Sequence, residues 1–165
     1  MNQLEQFKEI ETFIFDVDGV LTNSQVLVME DGKLLRQMSI RDGYAIKLAV
    51  KMGYNVCVIT GGKSEGVKTR LQNLGVRDIY TGISDKLEAY EEYIYAYDLD
   101  EGKILYMGDD LPDYAVMRRV GMATCPHNAA HELFGIATYV SPQAGGEGCA
   151  RDVIEKVLKL NGDWK

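Results

Sequence analysis

Two short segments, Val56-Cys57-Val58-Ile59 and Ile104-Leu105-Tyr106-Met107, are apolar at every position. A strand with one wet face alternates apolar and polar residues. A continuous apolar run of this length suits a parallel strand covered on both faces. Parallel neighbours need a crossover of a dozen or more residues, usually a helix. The rest of the chain supplies such crossovers. Strands are predicted over residues 12–16, 55–59, 78–80, 103–107, 122–125 and 138–140. Helices are predicted over 42–52, 64–74, 85–97, 111–120, 129–133 and 150–160. This alternation defines an α/β fold, doubly wound around a mostly parallel sheet. Gly53, Gly75 and Gly121 follow helical patterns and are expected as left-handed C-terminal caps.

One segment departs from the alternation. Gln25-Val26-Leu27-Val28-Met29 and Lys33-Leu34-Leu35-Arg36-Gln37-Met38 flank Asp31-Gly32. Asp-Gly between two β-prone runs signals a hairpin. It falls between the first strand and the first long helix, so it is expected to protrude with little core beneath Leu27, Met29 and Leu35. An apolar protrusion is a protein contact or a flap folded back on its own domain. The 165 residues suit one domain, 1–165, with the hairpin at about 25–38. A net charge of −7 argues against nucleic acid as partner. Cys57, Cys125 and Cys149 show neither disulfide nor zinc spacing. Residues 1–6 lack a signal peptide's basic flank and apolar run, and no segment reaches membrane-spanning length, so a cytoplasmic location is expected.

Four elements carry the chemistry, each at a predicted strand end or helix start. Asp16-Val17-Asp18-Gly19 closes the first strand; strand alternation would aim Asp16 and Asp18 at one point. Carboxylates this close call for a cation or a shared proton. Val58-Ile59-Thr60-Gly61-Gly62 ends a buried strand in a hydroxyl and two glycines, where backbone approaches a phosphate closely. Lys86 opens a helix and offers a compact cation. Gly108-Asp109-Asp110-Leu111-Pro112-Asp113 follows an apolar strand with three carboxylates, a set that suits magnesium. Each element alone is commonplace. All four in one order at the carboxyl edge of one sheet are not.

That joint pattern resembles the haloacid dehalogenase superfamily of phosphotransferases over most of the chain. The resemblance implies that Asp16 is the nucleophile, forming an aspartyl-phosphate. Asp18 is then the acid that protonates the leaving oxygen and the base that activates water. Thr60 and Lys86 hold the transferring phosphoryl group. Magnesium is held by Asp16, the backbone carbonyl of Asp18 and Asp109, with Asp110 and Asp113 in support. A response-regulator receiver also uses Asp, Thr and Lys, but in another order. A non-catalytic scaffold would ordinarily have lost Asp16, Asp18 or Lys86.

Neither gap between these motifs holds a cap domain. The resemblance implies that such capless members act on macromolecules or close the site with a neighbouring subunit, and an acidic chain with a protruding hairpin favours the second. Ile40-Arg41-Asp42-Gly43-Tyr44-Ala45-Ile46 and Gly145-Gly146-Glu147-Gly148-Cys149-Ala150-Arg151 look like the 3-deoxy-D-manno-octulosonate 8-phosphate (KDO-8-phosphate) phosphatases. That likeness implies a phosphorylated sugar acid as substrate and a homotetramer built through the hairpins. A nine-carbon ulosonate 9-phosphate is the alternative substrate. Gly61 and Gly62 are expected against the substrate, Gly62 offering no side chain to read the sugar. The substrate carboxylate asks for a second cation. Arg70 is favoured through its match to the family motif, with Lys63 and Arg41 as candidates or as solvated surface cations. The Gly145–Gly148 stretch is either a close backbone approach or a plain flexible loop.

Overall fold

The computed structural model describes residues 1–165. Strands β1 (Thr12–Phe15), β4 (Asn55–Ile59), β5 (Asp78–Tyr80), β6 (Ile104–Met107), β7 (Met122–Pro126) and β8 (Tyr139–Ser141) form one sheet in the order β5-β4-β1-β6-β7-β8. Every neighbouring pair is parallel. The chain winds outward from β1 through β4 to β5, then returns to β6 on the other side and winds outward to β8. The reversal falls between β1 and β6. In open α/β sheets ligands bind outside the carboxyl ends of strands at such a reversal. Asp16 follows β1 and Asp109 follows β6 by two residues.

Both sheet faces are covered, as the continuous apolar runs require. Phe13, Phe15, Val56, Val58, Leu105 and Met107 point into one core with Ala45 and Ile46 of α2 (Ile40–Lys51) and Val153, Ile154 and Val157 of α6 (Cys149–Leu160). Ile14, Cys57, Ile59 and Tyr106 point into the other with Ala89, Tyr90 and Tyr93 of α4 (Lys86–Tyr97). Each buried aliphatic or aromatic side chain contributes about 1.5–3 kcal/mol relative to exposure. The three cysteines are buried and free. No helix is long and apolar enough to cross a membrane.

The boundaries follow local chemistry. Ser64 caps α3 (Glu65–Asn73) by accepting from Val67 N at 3.2 Å. Asp85 caps α4 by accepting from Leu87 N at 3.0 Å and Glu88 N at 3.3 Å, which fixes Lys86 at the helix's first position. The stretch at 111–120 is not one helix. Asp110 and Asp113 form a reciprocal cap around a 3-10 turn, Leu111–Asp113, and only α5 (Tyr114–Met117) is α-helical. The 129–133 segment is likewise a 3-10 turn, His131–Gly135. Gly53 and Gly75 take the expected left-handed conformation, and Gly121 does not. Gly121 instead lets the chain cross Gly102, whose carbonyl oxygen would lie 2.2 Å from an added Cβ. A first helix, α1 (Gln3–Lys8), escapes the periodicity argument. Its signal is a capping box, Asn2 with Glu5.

The hairpin is present but short. β2 (Leu27–Val28) pairs antiparallel with β3 (Leu34–Leu35), and the turn carries Gly32 at φ 87°. Leu27, Val28, Leu34 and Leu35 are all exposed.

Candidate active site

β1 ends at Phe15, one residue before Asp16, so strand alternation does not place Asp18. An irregular turn, Val17–Leu21, does so instead. It bends at Gly19, whose φ is 90°, a value open to glycine at little cost. A Cβ on Gly19 would lie 1.7 Å from Asp109 Oδ2. The conformation and the missing side chain together let the Asp109 carboxylate lie against the turn. A second loop braces the same turn from outside. Gly146 N donates to Val20 O at 3.0 Å, and a Cβ on Gly145 would lie 2.0 Å from Gly19 O. Gly145 and Gly146 thus make a close backbone approach to the Val17–Leu21 turn that carries Asp18.

Carboxylate oxygens of Asp16, Asp109 and Asp113 lie within 4.8 Å of one another. The three are not equivalent. Asp113 Oδ1 accepts from Lys86 Nζ at 2.7 Å and from the Tyr106 hydroxyl, and Oδ2 accepts from Asp109 N at 3.0 Å and Asp110 N at 3.3 Å. Both its oxygens are committed to protein donors, which makes Asp113 a strut. Asp16 Oδ1 accepts from Val17 N at 2.7 Å and lies 2.9 Å from Lys86 Nζ. Asp16 and Asp109 thus retain free lone pairs for a hard cation such as magnesium.

The electrostatics agree. Burial, and then the Asp113 charge, holds the Asp16 carboxyl well above the usual carboxylate range. The same two causes push Asp109 up to about 6. Burial alone would lower Lys86, but the carboxylates of Asp113 and Asp16 outweigh it and raise its pKa. One lysine among three clustered acids, two of them buried, leaves the cluster short of positive charge, and a divalent ion supplies what is missing.

The predicted residues divide accordingly. Asp16, Lys86, Asp109 and Asp113 come together at the β1–β6 reversal. Asp110 caps the turn at Leu111 N, 2.8 Å away. Thr60 is buried and its hydroxyl accepts from Gly62 N at 3.2 Å. A Cβ on Gly62 would stand 3.6 Å from both Thr60 Oγ1 and Asp18 Oδ2, so these three residues share one corner. Gly61 lies against Ile83 O. Lys63 lays its stem along Gly82. Arg70 donates to Ser39 O at 3.4 Å and lines a groove of about 420 Å³ with Leu34, Leu35, Arg36 and Met38. Arg41 faces a different groove, with Gln143, Glu147 and Arg151. Sequence reasoning missed Arg36, which reaches Asp18, and Tyr106, which reaches Asp113. Tyr106 is legible only as the one hydroxyl in an apolar strand ending at the site.

A buried carboxylate beside a lysine, with a second free carboxylate on the next strand of the reversal, suits a magnesium-dependent hydrolase of phosphate esters. Residues 75–152 match the haloacid dehalogenase-like hydrolases. The chain is 35% identical over 155 residues to 3-deoxy-D-manno-octulosonate 8-phosphate phosphatase of Escherichia coli strain K12, spanning 94% of this chain and 82% of that protein. The Yersinia pestis enzyme of that name has a crystal structure that superposes with a TM-score of 0.94 at 32% identity, covering 97% of this chain and 86% of that one. A Moraxella catarrhalis structure of the same phosphatase, in complex with a magnesium ion, a phosphate ion and KDO, superposes with a TM-score of 0.91 at 29% identity, covering 95% and 90%. The chain belongs to this phosphatase family of haloacid dehalogenase-like hydrolases.

Proposed function

We propose that this chain hydrolyses KDO-8-phosphate to KDO and phosphate. The observation that carries the chemistry is the Asp16–Lys86–Asp113 array beside Asp109. The substrate rests on the likeness over 94% of the chain to enzymes of that name. Asp16 attacks phosphorus, the bond from phosphorus to the C8 oxygen breaks, and Asp18 gives its proton to that oxygen. Water, deprotonated by Asp18, then attacks the aspartyl-phosphate and releases phosphate with Asp16 restored. Lys86 and Thr60 hold the phosphoryl oxygens. Asp16, Asp109 and the Asp18 carbonyl would hold magnesium, which offsets negative charge on the phosphoryl group. Arg70, in the groove beside the hairpin, takes the sugar-acid carboxylate.

The chain acts as one unit, in the cytoplasm, and assembles as a homotetramer through the hairpin, whose exposed leucines and valine otherwise meet water. The test is phosphate release from KDO-8-phosphate beside a nine-carbon ulosonate 9-phosphate, with magnesium and with a chelator. A magnesium-dependent preference in kcat/KM for the eight-carbon substrate is expected. Preference for the nine-carbon substrate, or equal rates in the chelator, refutes the reading.

A further inference from the structure

The turn that carries Asp18 faces the base of the hairpin. Arg36 follows β3 directly, and its guanidinium turns inward. Nε lies 2.7 Å from Asp18 Oδ1 and Nη2 lies 3.2 Å from Oδ2, so both carboxylate oxygens are engaged by one planar fork. The arginine side chain is 9% exposed and that of Asp18 is 40% exposed. The cation is thus the enclosed partner, and the carboxylate is the one that faces outward.

The space for this cation comes from Gly62. Arg36 borders one small cavity with Val17, Thr60, Gly62 and Ser64. A Cβ on Gly62 would stand 3.2 Å from Arg36 Nη2, so a larger side chain there would compete with the guanidinium for its place. Of the other cations near the site, Lys86 serves Asp16 and Asp113, and Arg70 donates to Ser39 O. A half-exposed aspartate without such a fork would sample several side-chain rotamers.

We propose that Arg36 is a positioning residue for the reaction: delivered by the hairpin through the gap at Gly62, it fixes the Asp18 carboxyl at the mouth of the site. The inference rests on Asp18 being the proton donor and acceptor. Misplacement of a reacting group by about 1 Å costs on the order of a hundredfold in rate. Arg36→Ala is therefore expected to lower kcat on KDO-8-phosphate by about that factor, with KM within about threefold of the parent. Magnesium affinity, read by calorimetry, and assembly mass stay unchanged. Arg36→Lys keeps the charge but not the fork and recovers only part of the loss.

The double variant Arg36→Ala/Gly62→Arg brings a guanidinium to the same corner from the opposite side. It is expected to exceed Arg36→Ala by about tenfold or more in kcat. The inference is overturned if Arg36→Ala keeps kcat within about twofold of the parent, or if its loss lies wholly in KM. It is equally overturned if the loss follows a change in assembly mass, or if the double variant gains nothing. Asp18→Asn, assayed beside these, separates the two layers of the argument. Full activity in Asp18→Asn sinks the assignment of Asp18 itself. An inactive Asp18→Asn beside a fully active Arg36→Ala sinks only the role of Arg36.

Discussion

Lys86→Met removes the one cation from the acidic cluster while keeping most of the side-chain volume. Lys86 Nζ is 2.9 Å from Asp16 Oδ1 and 2.7 Å from Asp113 Oδ1, with its side chain 6% exposed. Breaking a buried pair by deleting one partner costs about 3–5 kcal/mol, because the other charge stays buried and uncompensated. Against a total stability of about 5–15 kcal/mol this removes a large share of the margin. The penalty is electrostatic, so protons and magnesium both relieve it. Asp16 and Asp109 already have folded pKa values above the ordinary range, and losing Lys86 raises them further. The folded form then binds more protons than the unfolded form between the ordinary and the raised values. Stability therefore falls as pH rises through that window and is greatest on its acid side. Urea denaturation in a chelator, at about pH 5 and about pH 7.5, reads the effect. The expected gap to the parent is about 3–5 kcal/mol at the higher pH and smaller at the lower. Added magnesium stabilises the variant more than the parent, since the cluster then has one positive charge fewer. Phosphatase turnover is lost throughout. Stability within about 1 kcal/mol of the parent in the chelator at the higher pH would refute the reasoning.

Gly19→Ala puts a Cβ into the Asp109 carboxylate at a φ of 90°; it is expected to cost about 1–3 kcal/mol and to weaken magnesium binding, measured by calorimetry. Gly121→Ala clashes with the Gly102 carbonyl far from the site, so its melting temperature should fall while kcat/KM per folded molecule is unchanged. Asp42 is pushed up to about 6 by burial, against the opposing Arg151 N–H, and its Oδ2 has no partner. It favours the folded state below the ordinary Asp pKa and loses that contribution as pH rises to about 6; Asp42→Asn should flatten the stability–pH slope in that window, read from urea midpoints. Leu27→Asp with Leu35→Asp should lower the assembly mass in light scattering and leave the melting of a single chain nearly unchanged.

The sheet was legible because parallel strands buried on both faces need runs such as Val56–Ile59, and because few other structures do. The four motif positions were legible because three follow strands of the sheet at its carboxyl edge, β1, β4 and β6, and the fourth, Lys86, opens a helix there. What sequence could not give were contacts that depend on how a turn bends. Asp18 sits off the strand because Gly19 redirects the chain. Arg36 reads in sequence as one more polar residue of a hairpin arm, and only the path of β3 aims it at Asp18. Arg70 was favoured by its match to the family motif over Lys63 and Arg41, and the fold places Arg41 in a groove separate from that of Arg70. The break within 111–120 shows local capping outweighing periodicity: the Asp110–Asp113 reciprocal cap and Pro112 make a 3-10 turn.

Gly145 and Gly146 support the Val17–Leu21 turn that carries Asp18, and Cys149 adds a contact to Val20 O across 129 positions of sequence. A chain emerging from the ribosome at about 5–20 residues per second exposes both aspartates early and their brace last. A growing chain that already contains Asp16, Thr60, Lys86 and Asp109 still lacks the surface that keeps the first turn in shape. Catalytic competence should therefore arrive in one late step of biosynthesis, and unfinished chains should pass through the cell without hydrolysing phosphate esters.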